Sequence, residues 1–145
     1  MRFQSPIAAA LAAATLTAAV SACGFDEQLT SRGFVKAGDG LCGEGLGRSF
    51  IAVQRSGGAA NLDSEGIAAI ARSYAGIADG LRGLDLREED EAMRDEMISR
   101  YDETAEQIQG SADPVSVVVA IEELRPFAAE LRDYGFRVCG GREPV

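Results

Sequence analysis

The most constraining feature of this sequence is a seam of apolar residues between positions 67 and 84. Large apolar side chains recur there at intervals of three and four residues, which places them on one narrow face of an α-helix. A strand would need strict alternation of apolar and polar residues, and the segment has none. Because such a face must be buried against other elements, the seam predicts a helical fold. Its members are Ile67, Ile70, Tyr74, Ile77, Leu81 and Leu84.

A first helix is predicted ahead of this seam, from residue 31 to about residue 55. Its larger apolar residues fall roughly on helical spacing, but glycines interrupt the segment repeatedly. A glycine in a helix interior costs up to about 1 kcal/mol against alanine. We therefore expect this helix to be broken or frayed near Gly38 to Gly40. Its expected apolar face comprises Phe34, Leu41, Leu46, Phe50 and Val53.

Local start signals predict two further helices. Asp85 stands three residues before Glu88, which is the spacing of a capping box, so a third helix should start there and end at Gly110. Asp113-Pro114 predicts the start of a fourth helix, with the aspartate as N-cap and the proline at the first helical position.

The fourth predicted helix contains a proline. Pro126 cannot donate a backbone hydrogen bond, so it should kink or split the helix. Gly135 should end it, with Phe136 placed to close against Leu131. Because the connections around the third helix are short, neighbouring helices should run antiparallel. The sequence thus predicts an all-α fold, roughly a four-helix antiparallel bundle over residues 31–139, with a flexible tail at 140–145.

Residues 1–22 are predicted to be a cleaved export signal rather than part of the fold. Arg2 gives a short positive start, an uncharged run extends from Ile7 to Val20, and small residues precede Cys23. Two cleavages are open at this point. An ordinary signal peptidase would leave Cys23 as a free thiol, whereas the four residues ending at Cys23 also fit a bacterial lipobox, in which the cysteine is acylated.

The cysteine count favours the lipobox. Three cysteines in an exported chain leave one unpaired. Acylation of Cys23 removes the odd thiol and leaves Cys42 and Cys139 to form a disulfide that closes nearly the whole domain. The alternative for this pair is a redox centre, but catalytic pairs are usually close in sequence and these are not. Residues 23–30 then form a lipidated tether.

The composition argues against several classes of function. The formal charge of −9 argues against nucleic-acid binding, which needs clustered cations. The chain has no histidine, so it lacks the commonest general base and the commonest metal ligand. We expect no catalytic residues, no cofactor and no metal site.

Three patterns resemble sites, and each has a plainer structural interpretation. Gly38, Gly40 and Gly43 spell the GxGxxG of dinucleotide-binding folds, but no apolar strand precedes them, and close packing of another backbone explains them as well. The acidic run at residues 85–96 lacks the ligand spacing of an EF-hand loop, and it suits the start of a helix. An apolar pocket or a plain helical core would both fit Tyr74, Met93, Met97 and Tyr101.

Two segments that contain the paired cysteines carry a resemblance. Residues 37–42 read Ala-Gly-Asp-Gly-Leu-Cys, and residues 134–140 read Tyr-Gly-Phe-Arg-Val-Cys-Gly. Together with the lipobox, they resemble a broad group of small, poorly characterised lipoproteins from GC-rich bacteria, which share Ala-Asp-x-Ile/Leu-Cys and Tyr-Gly-Leu-x-x-Cys. The chain departs from that pattern by inserting Gly38 before Asp39. The resemblance implies an exported helical domain with a disulfide and brings no activity with it.

We therefore expect an extracytoplasmic, non-enzymatic lipoprotein, held at the cell membrane by acylated Cys23, that acts as a structural or protein-interaction module. The alternative is a carrier for an apolar, lipid-like small ligand. An exposed apolar face left over after bundle packing would favour a protein partner. A closed apolar cavity of roughly several hundred Å³ would favour a ligand.

Overall fold

A computed structural model describes residues 28–141 of the chain. Over that range the backbone is helical, which confirms the all-α prediction. A single turn of 3-10 helix, Ala59–Asn61, follows the first helix. The predicted signal peptide, Cys23 and residues 142–145 lie outside the described residues. The helices are α1 Ser31–Arg55, α2 Ser64–Arg82, α3 Glu88–Gln109, α4 Pro114–Glu122 and α5 Arg125–Tyr134.

The predicted start of the last helix and its division by proline are both confirmed. The Asp113 carboxylate accepts the backbone N–H groups of Val115 and Ser116 at the start of α4. The predicted fourth helix is divided into α4 and α5, and Pro126 occupies the second position of α5. A proline is tolerated in the first turn of a helix because the N–H that it lacks would have no partner there.

The predicted capping box at the start of the third helix is wrong. The helix α3 begins at Glu88, and the residue that precedes it is Arg87, whose side chain makes no capping bond. Asp85 belongs to the connection instead, where its carbonyl accepts the backbone N–H of Leu29 at 2.9 Å. Leu86 is buried beside this contact, so tertiary packing fixes the connection as extended chain.

The predicted break in the first helix is also wrong. The helix α1 runs without interruption over 25 residues. Two of its glycines are buried where a neighbour comes close: a Cβ at Gly38 would lie 2.6 Å from the ring of Phe136, and a Cβ at Gly45 would lie 2.5 Å from Ile77. The low helix propensity of glycine disfavours this helix. Close packing that only glycine permits at these positions compensates for that cost.

The side chains that α1 buries differ from those predicted. Leu46 and Phe50 were expected in the core, but they are 40% and 63% exposed. Leu41 and Val53 are half-buried at the edge of the core. The inward face is narrow and mostly small, which lets α2 approach closely. Its buried residues are Phe34, Gly38, Cys42, Gly45 and Ala52.

Neighbouring helices run antiparallel, as predicted, with α2 packed between α1 and α3. Two ends of the bundle follow from this topology. At the tether end, the contact of Leu29 with Leu86 joins the start of α1 to the α2–α3 connection. At the far end, α4 packs against α3 and against the 3-10 turn that follows α1. The chain then returns through α5 to the tether end.

The core is built on the seam that the sequence predicts. Its members from Ile67 to Leu81 are buried, and Leu84 is half-buried against them. The third helix adds Met97, Tyr101 and Ile108 to the same core. The closure at the end of α5 is as predicted: the Phe136 N–H donates to the Leu131 carbonyl at 2.9 Å, and Gly135 has a φ of 121°.

Candidate functional site

The predicted disulfide is present. It joins Cys42, in the middle of α1, to Cys139, just beyond α5, with the two Cα atoms 5.3 Å apart. Both cysteines are buried, and the Tyr101 hydroxyl lies 3.3 Å from the Cys42 sulfur. A buried bond of this kind clamps the end of the chain onto the first helix, which suits a structural role better than thiol exchange, because exchange needs access to a sulfur.

A carboxylate beside the disulfide holds the last turn of the domain. Asp39 lies three residues before Cys42, on the same face of α1. Its side chain accepts the backbone N–H groups of Arg137, Val138 and Cys139, at distances from 2.8 to 3.2 Å. These amides follow the end of α5 and would otherwise lack partners. This role was not predicted from the sequence, although the spacing of the aspartate from the cysteine is a usable signal.

The two segments that contain the paired cysteines therefore form one structural unit. Gly38 makes room for the ring of Phe136, Asp39 binds the amides of the final turn, and Cys42 is bonded to Cys139. The segment on α1 supplies the space and the carboxylate, and the segment after α5 supplies the ring and the backbone amides. Their residues thus have structural explanations that require no ligand.

A buried carboxylate at the tether end was also missed. Asp90 belongs to the acidic run, yet it is only 1% exposed. It accepts hydrogen bonds from the Tyr134 hydroxyl and from the Ser31 hydroxyl, the latter at 3.0 Å. The network joins α1, α3 and α5, and a buried charge needs such partners. The ring of Phe34 packs edge-on against that of Tyr134 above it.

All three tyrosines of the chain have raised pKa values. Burial raises the pKa of Tyr74 to about 12. Burial, with smaller effects of Tyr74 and Asp39, also raises the pKa of Tyr101. For Tyr134, burial comes first and the hydrogen bond to Asp90 second, and the pKa rises to about 12. In each case the folded protein favours the neutral phenol.

These shifts predict unfolding at alkaline pH. In the unfolded chain the tyrosines ionise near pH ~10, whereas the folded chain holds them neutral to about pH 12. The unfolded state therefore binds fewer protons over that window, so the stabilisation is complete below pH ~10 and is lost as the pH rises towards 12. We expect tyrosinate absorbance and loss of helical circular dichroism to appear together. The control is the chain in denaturant, and titration of any tyrosine near pH ~10 with the helices intact would contradict the prediction.

The glycine motif does not form a nucleotide site. Gly38, Gly40 and Gly43 all lie inside α1, with no strand before them in the part of the chain that the structure describes. A phosphate-binding loop presents free backbone N–H groups at the start of a helix, but these residues have helical backbones. Gly38 is also covered by Phe136.

The rest of the acidic run is a solvated helix start. Four acids lie in the first turn of α3, where negative charge suits the helix dipole. Apart from Asp90, the acids from Glu88 to Glu96 are exposed, and Asp95 pairs with the neighbouring Arg94 at 2.8 Å. Among residues 28–141, no group of three potential ligands is arranged to hold a metal ion.

The proposed ligand-lining residues are mostly core. Met97, Tyr74 and Tyr101 are buried, and the two tyrosine rings pack 6.2 Å apart. Met93 is half-buried at the edge of the same core. The recesses that the structure describes lie elsewhere, have volumes of about 410 to 540 Å³, and are open to solvent.

Apart from Val138, the large apolar side chains that are exposed within residues 28–141 fall into two groups. We call Leu46, Phe50 and Ile51, in the second half of α1, the α1 patch; their exposed fractions are 40%, 63% and 49%. We call Val115, Val118 and Val119, in the first turns of α4, the α4 patch; their exposed fractions are 71%, 47% and 53%. Both patches lie in the half of the bundle that is remote from the tether end. Neither was predicted, because helical spacing placed Leu46 and Phe50 on the buried face of the first helix.

Comparisons with protein families, with curated proteins and with solved structures found no match for this chain. Within residues 28–141, no helix combines the length and apolar character needed to cross a membrane.

Proposed function

We propose that this protein is an extracytoplasmic lipoprotein, anchored by acylated Cys23, whose helical domain is a non-enzymatic structural or protein-interaction module. The observation that carries the interaction role is the exposure of the α1 and α4 patches. Six large apolar side chains are exposed to solvent in two regions of one small domain. Exposed apolar surface that is concentrated in this way is typical of sites that bind another protein.

The position of the patches supports the same proposal. The tether joins the domain at the start of α1, so an anchor at Cys23 would hold that end nearest the membrane. The α1 and α4 patches lie towards the opposite end, where a partner outside the membrane has access to them. Patches that dipped into the lipid would instead be expected beside the tether.

The carrier alternative has less support. A lipid carrier would use an enclosed apolar cavity between helices. The recess of about 510 Å³ runs along α1 and α2 and is lined by arginines as well as apolar groups, and the one of about 540 Å³ lies between α3 and α4. Both are surface grooves that suit a protein segment better than a sequestered lipid.

The anchor is tested by replacing Cys23 with serine. We expect the wild-type chain in the membrane fraction, with a mass that shows acyl groups on a chain beginning at Cys23. The Cys23→Ser variant should move to the soluble extracytoplasmic fraction, because neither the tether nor any described helix would hold it in a bilayer. A Ser21→Thr variant, which changes the signal but keeps the thiol, is the control. Unchanged membrane retention of Cys23→Ser would rule out the lipid anchor.

The interaction role is tested with a photo-crosslinking amino acid at Phe50. We expect ultraviolet light to join the anchored protein to another polypeptide, because this side chain is the most exposed member of the α1 patch. The same probe at Arg32, which is exposed on α1 at the tether end, is the matched control and should give much less product. Adducts with lipid alone from Phe50 would contradict the interaction role and favour the carrier.

A further inference from the structure

We propose that the partner of the α1 patch is the α4 patch of a second copy of this chain, so that anchored molecules associate head to tail. This inference rests on the proposed interaction role and names the partner. It follows from the charges that border the two patches and from the orientation that a shared membrane imposes.

Cations border the α1 patch. Arg48 and Arg55 lie on the same helix, and Arg72 of α2 lines the same groove as Ile51. Arg55 and Arg72 form no ion pair with any carboxylate of residues 28–141, and the pair of Arg48 with Glu44 is long, at 3.8 Å, and exposed. Exposed pairs of this kind contribute little. In a chain of net charge −9, this is a local excess of positive charge beside apolar surface.

Two carboxylates share the same groove, but they do not cancel this excess. The groove contains Asp63 and Glu65 beside its three arginines. The Asp63 carboxylate is already engaged, because it accepts the backbone N–H of Gly66 at 2.8 Å as the N-cap of α2. A surface that fits the α1 patch must therefore combine apolar side chains with carboxylates.

The α4 patch has this combination in Glu123, which follows its valines. Asp113 is engaged as the N-cap of α4, and Glu122 pairs with Arg125, whereas Glu123 forms no ion pair with any residue of 28–141. Glu123 lines the groove of about 540 Å³ with Val115 and Val119, and no basic residue lines that groove. One patch is thus apolar with cations, and the other is apolar with a carboxylate. Complementary charge of this kind steers and orients association.

The two patches are free to bind different neighbours at once. They belong to different helices, and the grooves beside them share no lining residue. A contact between unlike surfaces is heterologous, so it leaves an unused patch at each end and extends into rows or closed rings. A symmetric dimer would instead form both pairs of unlike patches at once across its two-fold axis, or pair each patch with itself, and it would stop at two copies.

The membrane anchor gives the contact its direction. Copies anchored in one membrane stand with the same end up, so the α1 patch of one copy and the α4 patch of its neighbour both face away from the membrane side of the bundle. The contact then brings Glu123 of one copy against the groove of the next copy that Arg48, Arg55 and Arg72 line.

Association is tested by sedimentation equilibrium of the exported full chain carrying Cys23→Ser, which removes both the acyl chains and the odd thiol. Each patch is small, so we expect weak association whose average mass rises past that of a dimer between micromolar and millimolar concentration. Added salt should weaken it, because the charges at the rim are exposed. A monomer at every concentration, or a dimer that does not grow, would overturn the proposal.

Charge reversal tests the assignment of the two patches. Arg48→Glu and Glu123→Arg should each weaken association about tenfold, because each places like charges across the contact. An equimolar mixture of the two variants should associate again, since each supplies the patch that the other has altered. Arg32→Glu, with the same change of charge at the tether end of α1, should associate like the unreversed chain. If the mixture stays monomeric, the two patches are not partners.

The outcomes for this inference and for the proposed function can be told apart. A monomeric chain whose Phe50 probe captures a different polypeptide in the membrane would overturn self-association and leave the interaction role intact. A chain whose Phe50 probe captures only lipid would overturn the interaction role. Capture of a second copy through Phe50, lost on introducing Arg48→Glu, would support both.

Discussion

Replacing Cys42 with alanine is expected to lower the melting temperature by roughly 10–20 °C. The disulfide joins residues that are 97 apart in sequence. Closing a loop of about 100 residues removes unfolded-state entropy equivalent to about 4.7 kcal/mol. For a domain of this size, each kcal/mol corresponds to a few degrees of melting temperature. Circular dichroism during heating, at matched protein concentration, measures the shift.

The variant should remain folded at room temperature. Asp39 still binds three amides of the final turn, and Phe136 still fills the space over Gly38. These contacts hold the same two segments together in the native state. Removing the disulfide therefore lowers stability mainly by restoring conformational entropy to the unfolded chain. We expect the helical content to be retained at low temperature and the unfolding transition to move.

Three controls separate the bond from its surroundings. All variants carry Cys23→Ser, so that no odd thiol is left to exchange. Cys42→Ala and the double variant with Cys139→Ala should have similar melting temperatures, because either change removes the whole bond. The chain with both cysteines, measured in reductant, should approach the same value. A single variant that melts within about 3 °C of the oxidised chain would show that the bond adds little stability.

Local signals predicted the parts of the fold that depend on nearby residues. The seam of α2, the cap at Asp113 and the division at Pro126 each follow from a few consecutive positions and from the geometry of one helix. None of them needs a distant partner. The structure confirms them for that reason.

The misses share a physical cause, which is dependence on residues far along the chain. The continuity of α1 depends on Phe136 and Ile77, which approach its glycines from other elements. The burial of Asp90 depends on Ser31 and Tyr134, from α1 and α5. Composition and spacing show which residues are present, but they do not show which distant elements of the chain pack against those residues. The same limit hid both apolar patches.

Two alanine substitutions on α1 are expected to change stability in opposite directions. Gly45→Ala should lower the free energy of unfolding by about 1–3 kcal/mol. Its Cβ would lie 2.5 Å from a side-chain carbon of Ile77 and 3.1 Å from the backbone oxygen of Ser73. The backbone of α2 cannot shift as easily as the end of a side chain. Relief of this clash therefore requires α1 and α2 to move apart. Gly47→Ala should instead raise the free energy of unfolding by up to about 1 kcal/mol, because alanine is the better helix former.

The comparison is controlled within one helix. Nothing lies within 4 Å of a Cβ at Gly47 or at Gly40, so Gly40→Ala should be stabilising like Gly47→Ala. Urea unfolding of the Cys23→Ser chain, at a concentration low enough for a monomer, gives the three free energies. Stabilisation by Gly45→Ala would mean that α1 and α2 are not in close contact there. Destabilisation by both exposed variants would mean that the solvent face of α1 is covered in the monomer. The changes in the free energy of unfolding should have opposite signs because a side chain at position 45 would clash with α2. A side chain at position 47 would instead lie in open space near Phe50, on the exposed face of α1.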